Sequence, residues 1–181
     1  NDFFSRYTKN NDILYYDRTE VNDSQLKQIV TQVSDNVWCI SEFNLVNSFL
    51  IVGENKAALI DTCCGLGNIR EVAESLTDKP IMVLLTHGHG DHTGGIYHFS
   101  QDSQIFMNDL DKELPIKSPM TNAGRTWYVN SRGPVRFPGH EEEMRATIPT
   151  TEPDMSFTYT TVQDKDKIDL GGNTVLEVIT T

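Results

Sequence analysis

The chain has 181 residues, 38% of them apolar and 23% charged, with a net charge of −11, a composition that suits one soluble globular core. So acidic a surface repels phosphate backbones, which excludes nucleic acid as an expected partner. No apolar run approaches the roughly 18 residues of a membrane span and no signal-peptide pattern appears, so no membrane partner is expected and the expected location is cytoplasmic. A chain that opens at Asn1 without methionine leaves room for a removed leader.

Residues 1–36 read as a polar arm, with a short helix over 24–30 turning Leu26, Ile29 and Val30 inward. Three short strands follow at 37–40, 48–52 and 57–60, and Gly53-Glu54-Asn55-Lys56 has the turn chemistry to make the last two a hairpin. Asn68 then caps a helix, with Glu71 in capping-box position and Ile69, Val72, Ala73 and Leu76 spaced as one apolar stripe. Pro80 stops that helix, and 81–85 is an apolar run short enough to be a buried strand. Cys39, Cys63 and Cys64 do not form a disulfide framework and read as buried thiols of a reducing compartment.

Directly after the buried strand stands Thr86-His87-Gly88-His89-Gly90-Asp91-His92-Thr93-Gly94-Gly95. Neutral imidazoles and a carboxylate hold zinc or iron at neutral pH. If the backbone stays extended, His87 and His89 project to one side and share a cation. A turn after Gly90 then aims Asp91 and His92 at a second one. Gly88 and Gly90 supply the backbone freedom such a loop needs. Beyond it, a short helix through 96–99 gives His98 a packing role away from the metals, and 104–107 is the next strand.

The stretch resembles the His-x-His-x-Asp-His signature of the metallo-β-lactamase superfamily. The resemblance extends to the strand ending in Asp61-Thr62 and to Asp169-Leu170-Gly171-Gly172 followed by 174–179. It implies an α/β (α+β) fold, an αββα sandwich of which the chain carries the N-terminal half, in a domain spanning 37–181. It also implies two zinc ions, with iron or manganese as alternatives, His87 and His89 on the first and Asp91 and His92 on the second. Asp91 is the implied catalytic residue, orienting a metal-bound hydroxide and passing its proton to the leaving group, and Asp61 holds the loop by hydrogen bonds. The family often carries glycine where Cys63 stands.

The implied function is hydrolysis of a small-molecule ester, thioester, lactam, lactone or phosphodiester. An iron-dependent thiol or persulfide dioxygenase and a non-catalytic metal-binding relative are the alternatives. Oxygen-reducing di-iron members usually carry glutamate at the position of His89, which weighs against that branch. The superfamily completes its site with ligands further along, so a C-terminal half of the same protein or a companion chain is an expected partner, alongside a homo-oligomer. Residues 108–166 dissolve into Pro, Gly, Thr and charge and read as an insertion. It is either a lid or substrate wall carrying Trp127, Tyr128, Arg132, Arg136 and Phe137, or a decorative excursion. His140 lies in it, ahead of the strand after which the family's Pro-Gly-His stands, and is not assigned as a ligand. Glu141-Glu142-Glu143 reads as a solvated helix face.

Overall fold

The computed structural model describes residues 7–10, 13–17, 27–136 and 138–181. Nine strands form one mixed sheet in chain order. They are β1 (Tyr7–Asn10), β2 (Ile13–Asp17), β3 (Lys27–Ser34), β4 (Val37–Glu42), β5 (Val46–Val52), β6 (Ala57–Ile60), β7 (Ile81–Leu84), β8 (Ile105–Met107) and β9 (Thr160–Thr161). Pairing is antiparallel as far as β6 and parallel from β6 to β9. The predicted hairpin joins β5 to β6, closed by Gly53 N–H donating to Lys56 O at 2.9 Å.

Parallel β6 and β7 need a crossover, and α1 (Ile69–Leu76) supplies it. Asn68 Oδ1 accepts from Glu71 N–H at 3.2 Å, so the cap forms as the sequence predicts. Ile69, Val72, Ala73 and Leu76 are buried against Val30, Ile40, Leu50, Leu59 and Val83 on one face of the sheet. Each such large side chain contributes about 1.5–3 kcal/mol on burial. Period-two alternation sends Ala58 and Met82 to the opposite face, where they meet Ile168 and Leu170. Those two belong to an antiparallel pair, β10 (Lys167–Gly171) and β11 (Thr174–Glu177). Helix, large sheet and small second sheet thus stack as the expected α/β sandwich requires.

Two expectations need correcting. No helix covers the described part of 24–30: Lys27 to Val30 open β3, while 24–26 lie outside the described residues. Extended backbone pairs Val30 with Ile40, and Gln28 is buried with its Nε2–H donating to Leu66 O at 3.1 Å. The sheet therefore continues across residue 36. The short helix after the histidines also begins earlier than expected, as α2 (Gly90–Thr93), and 96–98 form only a 3-10 turn.

The segment between β8 and β9 is far more helical than the single helix face suggested at Glu141 to Glu143. It contains α3 (Leu114–Lys117), α4 (Asn122–Arg136) and α5 (Glu141–Ala146). Met120, Val129 and Met144 pack with Phe43, Cys64 and Leu66 in a core of their own. That core fastens the segment to the loop following β6, at the end of the sheet where β7 delivers the histidines. Glu142 is exposed, but Glu141 and Glu143 are only half-exposed, and Glu143 pairs with His140 at 2.8 Å.

Candidate metal centre

Thr86 leaves β7 and is held at once by the carboxylate of Asp61. Asp61 Oδ1 accepts from Thr86 N–H at 2.7 Å, and Oδ2 accepts from Thr86 Oγ1–H at 2.7 Å and from His92 Nδ1–H at 2.8 Å. Thr86 has one hydroxyl proton, and it goes to Asp61. Its oxygen therefore accepts from His87 Nδ1–H at 3.0 Å. One carboxylate in this way fixes two imidazoles with their Nδ1 protonated, which leaves the Nε2 lone pairs of His87 and His92 for a ligand.

Thr86 makes a bend, the backbone is extended at His89 (φ −65°, ψ 146°), and it then turns into α2, whose first turn carries Asp91 and whose last carries His92. His89 O accepts from His92 N–H at 2.9 Å and from Thr93 N–H at 3.0 Å. The rings of His87 and His89 stand 4.9 Å apart, those of His87 and His92 4.0 Å, and His92 Nε2 is 3.8 Å from Asp91 Oδ2. Partial burial, with the neighbouring imidazoles, pulls the His87 pKa down, which favours the neutral donor form. The Asp61 hydrogen bond pulls that of His92 up.

Among the described residues, no three His, Cys, Asp or Glu side chains yet converge closely enough to close on one cation. The donor set nonetheless fits a zinc-type ion, with three clustered imidazoles, two of fixed tautomer, beside a carboxylate. His98 and His140 lie outside it. His98 Nε2–H donates to Gly67 O at 2.9 Å and burial drops its pKa to about 4, while His140 stands at the start of α5.

The loop after β6 is stitched to the histidine loop through its backbone. Asp61 N–H donates to Leu84 O at 2.9 Å, Thr62 N–H to His92 O at 2.7 Å, and Gly94 N–H to Cys63 O at 2.8 Å. Reaching those partners puts Asp61 and Cys63 at φ 64° and 56°, a region that is costly for side-chain-bearing residues. A glycine at 63 would take that conformation freely, which gives a physical meaning to the departure from the resembling family's pattern. Cys63 and Cys64 are buried free thiols whose pKa burial pushes well up, and Cys39 is half-buried and also free.

Two groups that the sequence reading missed hold this assembly. Glu42, fully buried, accepts from Cys64 N–H at 2.9 Å and Leu66 N–H at 2.7 Å. Arg125 of α4, also fully buried, donates to Cys64 O at 2.9 Å and Gly94 O at 2.7 Å. Burial raises the Glu42 pKa to about 7. Nothing local marks either residue, because their partners lie far along the chain.

The 108–166 segment also forms a wall. A cavity of about 300 Å³ is lined by His89, Asp91, Pro119, Met120, Trp127 and Tyr128. Burial, together with the nearby Asp91 carboxylate, pushes the Tyr128 pKa up. Trp127 meets Tyr128 edge-on at 5.4 Å and is 58% exposed. Arg132 lies over the Tyr128 ring, whereas Phe137 falls outside the described residues. Another cavity of about 420 Å³, around Arg70 and Asp102, sits beside Pro80 and Ile81 at the opposite end of β7.

Comparison with known proteins adds the following. A family model for the metallo-beta-lactamase superfamily matches residues 42–160. The lactamase-like protein aptB of Emericella nidulans is 38% identical over 74 residues, which is 36% of this chain and 24% of that protein. Acyl-coenzyme A thioesterase MBLAC2 of Homo sapiens is 31% identical over 70 residues, 32% of this chain and 25% of its own length. Among solved structures, a metallo beta lactamase from Erythrobacter litoralis has a TM-score of 0.45 at 18% identity, over 63% of this chain and 50% of that one. The chain thus spans about a quarter of the length of these two curated relatives. No helix among the described residues is long and apolar enough to cross a membrane.

Proposed function

The chain belongs to the metallo-beta-lactamase superfamily, and from that premise we propose that it is a metal-dependent hydrolase of an acyl ester or thioester. The observation that carries the reading is the Asp61 carboxylate, which fixes the tautomers of His87 and His92 beside Asp91. A purely structural histidine cluster has no use for two imidazoles with unengaged Nε2 lone pairs, one of them, His92 Nε2, 3.8 Å from Asp91 Oδ2. The likeness to a protein named acyl-coenzyme A thioesterase supports the acyl substrate.

His87, His89, Asp91 and His92 are the residues that would hold the cations. When bound, such ions supply a water of lowered pKa and polarise the acyl carbonyl oxygen. Asp91 takes up the proton that the attacking water gives up and delivers it to the leaving sulfur or oxygen. Tyr128 lines the same cavity as Asp91 and places a phenol beside that carboxylate. Trp127 and Met120 line the approach and restrict water there.

The test is turnover of a panel of esters, thioesters, lactams and phosphodiesters by the full-length protein supplied with zinc. Asp91→Ala should leave the protein folded and lower acyl hydrolysis by more than roughly 100-fold, the lower end of what a proton-handling group contributes. Near wild-type turnover of the variant, or no acyl hydrolysis by wild type, sinks the proposal.

A further inference from the structure

A second cavity opens beside the first, and the reading above gives it no role. It has a volume of about 370 Å³ and is walled chiefly by Met107, Pro115, Ile116, Pro119, Met155 and Phe157. Pro119 lines both cavities, so the two lie next to each other at that residue. Pro115 leans on the histidine loop: a Cβ on Gly88 would come within 2.8 Å of Pro115 Cδ and 2.9 Å of Leu114 Cβ. Glycine at 88 is what lets this wall approach so closely. Met107 ends β8 level with the exit of β7, where Leu85 N–H donates to Phe106 O at 2.9 Å. The groove therefore starts at the sheet end that carries His87 and His89 and runs away from it.

Its chemistry is one-sided. Ile116 is 80% exposed at its rim and adds apolar surface to the groove there. The Tyr159 hydroxyl is already committed to Asp109 Oδ1 at 2.9 Å. Lys112 lies along the edge, where its methylene stem extends apolar surface while its ammonium stays in water. Such a groove selects by apolar area. We propose that it is the subsite for the unbranched alkyl tail of the substrate's acyl group, with the acyl carbonyl at Asp91 and the tail running past Pro119 toward Ile116 and Phe157. This rests on the acyl-hydrolase reading and gives it a substrate class: acyl groups of medium chain length in preference to acetyl.

The experiment is a chain-length series of thioesters, acetyl to octanoyl, with the full-length protein, beside calorimetric binding of octanamide as a neutral, unreactive probe. Burial of a methylene contributes enough for about a fourfold gain each, so kcat/KM should climb steadily along the series. Ile116→Glu places a charge in the groove at an exposed position. It should cut the octanoyl-to-acetyl ratio of kcat/KM at least tenfold and weaken octanamide binding at least as much. If octanamide binds wild type and not the variant while no thioester is turned over, the groove stands and the hydrolase reading falls. If acetyl thioester is hydrolysed with no gain from longer tails and octanamide does not bind, the groove assignment falls and the hydrolase reading stands. A substitution that leaves the series unchanged but alters oligomeric state shows the groove to be a protein contact, and overturns the proposal.

Discussion

Replacing Arg125 by methionine should destabilise the protein severely, although Arg125 belongs to a segment whose sequence looks like a loop. Its side chain is fully buried. Nε donates to Cys64 O at 2.9 Å, Nη1 to Met120 O and Asn122 Oδ1, both at 3.1 Å, and Nη2 to Gly94 O at 2.7 Å. The guanidinium also lies 5.4 Å from the centre of the Tyr97 ring. Hydrogen bonds from a charged donor contribute about 1.5–3 kcal/mol each, and Cys64 O and Gly94 O would both be left buried. Relief of the desolvated charge returns part of this, so the net loss should be about 3–5 kcal/mol, a large share of the roughly 5–15 kcal/mol that holds a domain together. Urea unfolding of the full-length protein measures it directly. Arg125→Lys should lose most of the same amount, because one ammonium cannot reach Cys64 O, Gly94 O and Met120 O together. If Arg125→Met unfolds within about 0.5 kcal/mol of wild type, a change usual for an inconsequential surface substitution, those carbonyls have other donors and Arg125 does not tie α4 to the histidine loop.

The buried Glu42 predicts a pH dependence. With its pKa raised from 4.5 to about 7, the folded protein keeps a proton that the unfolded chain releases. The stabilisation is complete below the lower value and is lost as pH rises through about 7, an effect of about 3 kcal/mol. Urea unfolding in chelator at about pH 5 and about pH 8 should show this loss in wild type and a much smaller one in Glu42→Gln; equal losses would contradict it. Asp61→Asn removes the charge that fixes His92 and Thr86 and should weaken zinc binding about 10–100-fold, read by competition with a chromophoric chelator. An unchanged affinity would take Asp61 out of the account.

How far the sequence spoke depended on how local each signal was. Asn68, Glu71 and the stripe Ile69, Val72, Ala73 and Leu76 specify α1 within a few residues of one another, and α1 is as expected. The histidine loop was legible for the same reason, since His87 to His92 lie in one stretch after a buried strand. β3 was misread because Leu26, Ile29 and Val30 satisfy a helical pattern over too few residues to decide, whereas pairing with β4 settles it. α4 was illegible because Gly124, Gly133 and Pro134 argue against a helix, and what holds it is the burial of Arg125, Val129 and Gly133. Glu42 and Arg125 show the limit most plainly. Each is an ordinary charged residue in its own neighbourhood, and only backbone partners brought from distant parts of the chain give it a role.

The central claim is that the loop from His87 to His92 holds cations with lone pairs set by Asp61. The measurement that tests it most directly is zinc bound at equilibrium dialysis by the full-length protein, wild type against His87→Ala and His92→Ala. The account predicts tight zinc in wild type, its loss in both variants, and folding of the two variants in chelator like wild type. Zinc retained undiminished by both variants, or no zinc held by wild type, would contradict it.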